Sequence, residues 1–317
     1  MFETLLSNNL MKTQLGSAVA NQKTLHAYMF CGPEGSGKKT AAVAFAAELM
    51  GEGKQKALKG AHPDVIFVKD VDGRDVPSVK TIRQTRADAF VTPTEAAKKV
   101  YIIENAGELT EQSQNALLTI LEQPPSFSVF ILLCDSRENM LSTIVSRCTI
   151  YDMEDVGTKE GVEYLKRALP KADVKTLEFC IKAARGNVGL AKKMAGDKNF
   201  NEQIDICAEI VKLAAEGNQY GAAKHICKLT KDTVKTFTPV LCMYLRDVLV
   251  FGLTKNADAL IFKDSILKYE QTFSKIKADK IYECLDGIAT ATQNVDKYVN
   301  ISLVTCELII AIGGLNT

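Results

Sequence analysis

A run of glycines leads into two lysines at Gly32-Pro33-Glu34-Gly35-Ser36-Gly37-Lys38-Lys39-Thr40. Glycines at this spacing let successive backbone N–H groups curl around an anion, and a helix starting just after them offers its positive end. Lys38 would neutralise the outer oxygens of a phosphate chain. A loop that also works with magnesium needs Ser or Thr directly after that lysine, and this chain has Lys39. Thr40 supplies a hydroxyl one residue late, which turns it by about 100° around the helix. A second cation at Lys39 would also repel a divalent metal. Two readings stand for Gly32, Gly35, Gly37, Lys38, Lys39 and Thr40. They form a degenerate nucleotide site, holding ATP or ADP without hydrolysis, or a loop kept because the strand-to-helix turn needs it.

Two further places carry polar groups of the right type. Val100-Tyr101-Ile102-Ile103 ends in Glu104-Asn105, where a hydrolytic site wants Asp for the metal and then Glu to activate water. Glu104 can reach a metal. Asn105 can orient water but cannot take a proton, which argues against hydrolysis. The plainer reading is a buried strand with polar tips. Ser146-Arg147-Cys148 places an arginine at a helix-to-strand corner. An arginine there can project into another subunit's phosphate site, a device worth roughly 10³ to 10⁵ in rate. Taken alone, the commoner reading is a surface or ion-pair residue.

The elements that must position these groups alternate along the first half. Apolar runs at Tyr28–Cys31, Val65–Val68, Val100–Ile103, Val129–Leu133 and Thr149–Met153 read as five strands. Helical patterns lie between them at Thr40–Met50, Val79–Ala89 and around Leu117–Leu121, the last capped by Thr110 and stopped by Pro124-Pro125. Continuous apolar strands separated by helices predict an α/β fold with a parallel five-stranded sheet covered on both faces. The strands stop after Glu154. Asp155 onward reads as a small helical unit broken by Gly186, and from about Glu202 everything is helical. Thr238-Pro239 reads as a cap with proline in the first turn, and Val295–Ile312 as one closing apolar helix.

The 317 residues are enough for two or three domains, and 39 basic against 38 acidic residues leave a net charge of +1. Nucleic-acid contact must therefore come from a local patch or from partner subunits. Nine cysteines occur without any Cys-x-x-Cys pair, which disfavours zinc and a disulfide framework and suits a reducing compartment. Cys134, Cys148, Cys207 and Cys306 sit in apolar runs and read as small buried hydrophobes. The apolar stretch Pro239–Leu253 is short for a membrane span and holds Arg246 and Asp247, and the N-terminus lacks a signal-peptide pattern. The expectation is a cytoplasmic protein with no membrane partner.

Taken in order, the glycine loop, Glu104-Asn105-Ala106, Asn115-Ala116-Leu117-Leu118-Thr119-Ile120-Leu121-Glu122-Gln123-Pro124-Pro125 and Ser146-Arg147-Cys148 resemble the clamp-loader branch of the AAA+ ATPases. Leu25-His26-Ala27-Tyr28 and His62-Pro63-Asp64 narrow the resemblance to the delta-prime family of bacterial DNA polymerase III subunits. The likeness is dense over about the first 150 residues. Later, Arg185-Gly186-Asn187-Val188-Gly189-Leu190-Ala191 and Leu245-Arg246-Asp247 resemble lid and collar segments. It implies an AAA+ core at 1–154, a helical lid at 155–204 and a helical collar for assembly at 205–317. It implies gamma/tau and delta subunits as partners, with the sliding clamp and primer-template DNA met through the complex. The related gamma type keeps a hydroxyl, an Asp-Glu pair and a lid arginine where this chain has Lys39, Glu104-Asn105 and Gly189. The resemblance thus implies a non-hydrolysing subunit of the polymerase III holoenzyme that lends Arg147 in trans, monomeric or weakly dimeric alone. The alternatives are an active gamma/tau-type ATPase, or the related branch-migration motor, and a chain binding nucleotide for structure outside replication. Many relatives carry a four-cysteine zinc module, but no cysteine lies between Cys31 and Cys134, so no zinc is expected and Gly51–Ala61 should be a short loop.

Overall fold

All five apolar runs become strands: β1 (Ala27–Cys31), β2 (Val65–Phe67), β3 (Lys99–Ile103), β4 (Ser128–Cys134) and β5 (Thr149–Asp152). They form one parallel sheet in the order β2-β3-β4-β1-β5. The computed structural model describes residue 2 and residues 5–70, 76–197, 200–296 and 300–316. The chain divides into two compact units, Met1–Gly161 with Asn187–Gly189, and Val162–Gly186 with Leu190–Thr317. The expected lid and collar segments thus both fall mainly in the second unit.

In the first unit the helices are α1 (Asn9–Ala20), α2 (Lys38–Leu49), α3 (Lys54–Leu58), α4 (Val79–Ala89), α5 (Glu111–Glu122), α6 (Ser142–Val145) and the start of α7 (Thr158–Ala168). Strands β1, β3 and β4 are buried along their whole length, which is why they read as unbroken apolar runs instead of alternating ones. Their side chains still alternate between faces. Tyr28, Phe30, Val100, Ile102 and Ile131 share a cluster with Ala41, Ala42, Phe45 and Ala46 of α2. The alanines let α2 lie close to the sheet. Met29, Tyr101, Ile103, Phe130 and Leu132 share the other cluster with Ile82 of α4 and Leu117, Ile120 and Leu121 of α5. Thr110 caps α5 as expected, accepting a hydrogen bond from Ser113 N at 3.2 Å. Helix α1, which the sequence reading passed over, contributes Met11 and Leu15 to the α2 side. Gly51–Ala61 is not a plain loop: a 3₁₀ turn at Gly51–Gly53 leads into α3, whose Ala57 is buried.

The second unit is helical in its described residues: α8 (Val174–Ala183), α9 (Val188–Gly196, beginning in the first unit), α10 (Phe200–Ala215), α11 (Gln219–Ile226), α12 (Lys231–Thr254), α13 (Lys263–Lys268), α14 (Glu270–Phe273), α15 (Ala278–Asp296) and α16 (Ile301–Gly313). Three readings need correction here. Thr238-Pro239 does not open a helix. The cap is Thr230, in a capping box with Thr233, and Pro239 lies inside α12. There, burial of Phe237, Val240, Leu241, Tyr244 and Leu245 outweighs the local breaking tendency of proline. The run Val295–Ile312 is two helices, with Val295 near the end of α15 and α16 capped by the Asn300 side chain on Ser302 N. Residues 297–299 of that run lie outside the described ones. Cys306 is exposed and Cys148 half-buried, while Cys134 and Cys207 are buried as expected.

Helix α12 is longer than the apolar stretch suggested, and by length and composition alone it would suffice to cross a membrane. Its most apolar window is 61% buried inside the protein, and Asp247 in its middle is fully buried. Asp247 accepts hydrogen bonds from Ile261 N and Phe262 N at 2.6 and 2.8 Å. Burial pushes its carboxyl above the ordinary range even so, with those bonds and Arg246 acting in the opposite direction. The helix is a core element of its unit.

Candidate nucleotide site

Parallel strands bring their carboxyl ends to one edge of the sheet, and the polar residues just beyond β1, β3 and β4 meet there. Gly32 N donates to Cys134 O at 3.1 Å, tying the start of the loop to the end of β4. Gly35 and Gly37 adopt φ of 85° and 95°, left-handed values that a side chain would strain. Gly37 is the residue from which α2 starts, so the expected strand-loop-helix order is present.

The two lysines have partners within the protein. Lys38 Nζ donates to the Gly32 carbonyl and lies 2.5 Å from Asp135 Oδ1. Lys39 Nζ lies 2.8 Å from Glu104 Oε1 and 5.2 Å from the centre of the Phe67 ring. Thr40 is exposed. Asn105 sits at φ 50°, a left-handed conformation that asparagine tolerates better than most residues, and it turns the chain out of β3.

The loop is also held from its own backbone. Asn187 Nδ2 donates to Glu34 O at 2.7 Å, and Gly189 N donates to Gly35 O at 3.0 Å. A Cβ on residue 189 would fall 2.5 Å from Gly35 Cα. The position where the resemblance places an arginine in active relatives therefore has no room for any side chain in this arrangement.

A magnesium ion does not fit these residues. The hydroxyl that would hold it is absent, and the Glu104 carboxylate is matched by the Lys39 ammonium. A phosphate would have to displace Asp135 from Lys38. Ser36 Oγ is buried without a hydrogen-bond partner among the described residues. Among the described residues, no group of three or more His, Cys, Asp or Glu side chains is placed to hold a metal.

Gly32, Gly35, Gly37, Lys38, Lys39 and Glu104 are thus brought together, and Arg147 is not. It precedes β5, whose Thr149 pairs with Tyr28 near the start of β1. That is the amino edge of the sheet, and four strand residues at about 3.3 Å each separate it from the loop edge. Arg147 Nη2 bonds Glu122 Oε1 at 2.9 Å and its Nη1 bonds Thr143 O at 2.8 Å, and the side chain is 36% exposed. Nearby, His62 and Asp64 serve the framework. Asp64 accepts from the N–H groups of Thr94, Glu95 and Ala96 at 2.6, 2.7 and 2.9 Å. Burial pushes its carboxyl upward, but the three N–H groups with His62 outweigh that and hold it below the usual range. Sequence reasoning missed Asp135 and Asn187. Asp135 had a signal, since it follows β4 as Glu104 follows β3. Asn187 had none, because its role depends on a fold-back from 153 residues away.

Residues 7–157 match the family described as DNA polymerase III, delta subunit. The chain is 24% identical to DNA polymerase III subunit delta' of Pseudomonas aeruginosa, over 88% of each chain. It is 24% identical to subunit delta' of Bacillus subtilis, over 90% of each. Subunit tau of Bacillus subtilis is 26% identical over 94% of this chain, which spans 59% of that longer protein.

Proposed function

Starting from a chain that is a DNA polymerase III clamp-loader subunit of the delta' type, acting in DNA replication, we propose that its own loop does not hydrolyse nucleotide and that Arg147 serves a neighbour's. The observation that carries this reading is the pairing of both loop cations with carboxylates from within, Lys38 with Asp135 and Lys39 with Glu104. The lysine that would bind outer phosphates is engaged, and the metal position holds an ammonium group. Asn105 cannot serve as a base.

Arg147 lies at the sheet edge opposite its own loop, so it can stabilise phosphoryl-transfer charge only in another subunit's site. Gamma/tau and delta subunits are the partners, and the sliding clamp and primed DNA are met through the assembly. The helical segment 155–204 acts as lid, and 205–317 as the collar that holds the ring. The setting is the cytoplasm.

The similarity to a tau subunit supports a second reading, an ATP-hydrolysing subunit of gamma/tau type. A phosphate-release assay on the isolated chain separates the two. Turnover at background with and without magnesium is expected; robust turnover abolished by Lys38→Ala would sink the non-hydrolysing reading. The finger is tested by reconstitution with partner subunits. Arg147→Ala should lower clamp-dependent ATP turnover by roughly 10³-fold at the shared site, and unchanged turnover removes the trans role.

A further inference from the structure

We propose that Cys31 and Cys134 form a paired oxidation site at the foot of the loop, where a small-molecule disulfide converts the two thiols to a cross-strand disulfide. The two residues are register partners at the ends of neighbouring parallel strands, and their side chains belong to the same buried cluster. Both are free thiols, and the sulfurs are 3.3 Å apart. Neighbouring strands run about 4.8 Å apart, inside the Cα separation of about 4.4–6.8 Å that disulfides span.

The two sulfurs are chemically unequal. The hydrogen bond with Cys134 lowers the Cys31 thiol below its ordinary range, helped by Arg137 and Lys38 and opposed by burial and Asp152. The same bond, together with burial, pushes Cys134 up. Cys31 is the attacking thiolate and Cys134 the resolving thiol. Cys31 Sγ attacks one sulfur of the small disulfide and expels the first small thiolate. Cys134 then loses its proton and attacks Cys31 Sγ, expelling the second. The protein loses two electrons and two protons, and the small disulfide becomes two thiols. Each cysteine is followed directly by a residue that holds Lys38, Gly32 after Cys31 and Asp135 after Cys134. The new bond would therefore fix the two strand ends that carry the Lys38 clasp.

Oxidised glutathione is the probe, applied to the full chain. Cleavage after lysine and arginine without reduction should give peptides 24–38 and 100–137 linked to each other, lighter than their sum by two hydrogen atoms. Recovery of the two peptides unlinked, at a dose that already modifies the exposed Cys227 and Cys306, overturns the proposal. In Cys134→Ser, Cys31 should instead retain a glutathione adduct. Cys134→Ala, which keeps the site apolar, covers the case in which serine loosens the core. Buried Cys180, Cys207 and Cys284 should stay unmodified. Equal modification of those three would show global opening in place of a built pair and would also overturn it.

Discussion

Lys39 stands where a metal-binding hydroxyl is wanted, and its ammonium lies against the carboxylate a metal would need. If that substitution were the only fault, Lys39→Thr would restore turnover. Asn105 still lacks a base, Asp135 still occupies Lys38, and Gly189 still excludes a side chain. Lys39→Thr is therefore expected to leave phosphate release at background, and a magnesium-dependent rate well above it would count against the site as described. Asp64 supports a different prediction. Its carboxylate is fully buried and holds three N–H groups, so Asp64→Asn should cost about 1–3 kcal/mol in urea unfolding at neutral pH. Its folded pKa lies below the unfolded value. The ionised carboxylate thus adds stability above about pH 3.9, and that stability is lost as pH falls through the folded value. The gap between wild type and variant should narrow on acidification, and a gap that widens would reverse the assigned direction. Much of this was legible at the residue scale: the glycines, Lys38, Lys39 and Glu104 announce one site by type and spacing. Asp64 in His62-Pro63-Asp64 carries no such signal by type and spacing, because what it binds lies thirty residues on.

Among elements, the strand-loop-helix unit of β1, Gly32 to Gly37 and α2 could be read directly, since buried parallel strands and an alanine-rich helix leave strong patterns. Helix α1 could not, because its apolar stripe is thin and only Met11 and Leu15 are buried. Proline in α12 misled for a related reason: local rules place Pro239 in a first turn, and only tertiary burial carries the helix through it. The start of α9 shows the same limit. Its backbone docks on the loop through Gly189, a contact set by chain reversal and absent from any local pattern. Gly189→Ala puts a Cβ 2.5 Å from Gly35 Cα, and backbone cannot yield as a flexible side chain can. The substitution should destabilise the protein by about 1–3 kcal/mol and speed amide exchange across residues 32–38. Wild-type exchange in the loop, with unfolding unchanged, would mean that the contact does not hold it.

For the whole molecule, charge balance limits what the chain can do alone. With 39 basic and 38 acidic residues, it offers no long-range attraction to a polyanion, and any direct contact must be local. The surface of α4 illustrates how local: Lys80, Arg83 and Arg86 are exposed on it, with Asp88 nearby. Three cations release few counterions, so a contact of that size gives a salt slope no steeper than about −3 in log–log form. The isolated chain should bind primed DNA no more tightly than the non-specific range, roughly 10⁻⁴ to 10⁻⁶ M at physiological salt. Tight binding should appear only when partner subunits surround the strand. A fluorescence-anisotropy titration across salt concentrations measures both quantities. Nanomolar affinity with a steep slope for the chain alone would mean that it grips DNA by itself, and the proposed loan of Arg147 would then not be its whole role.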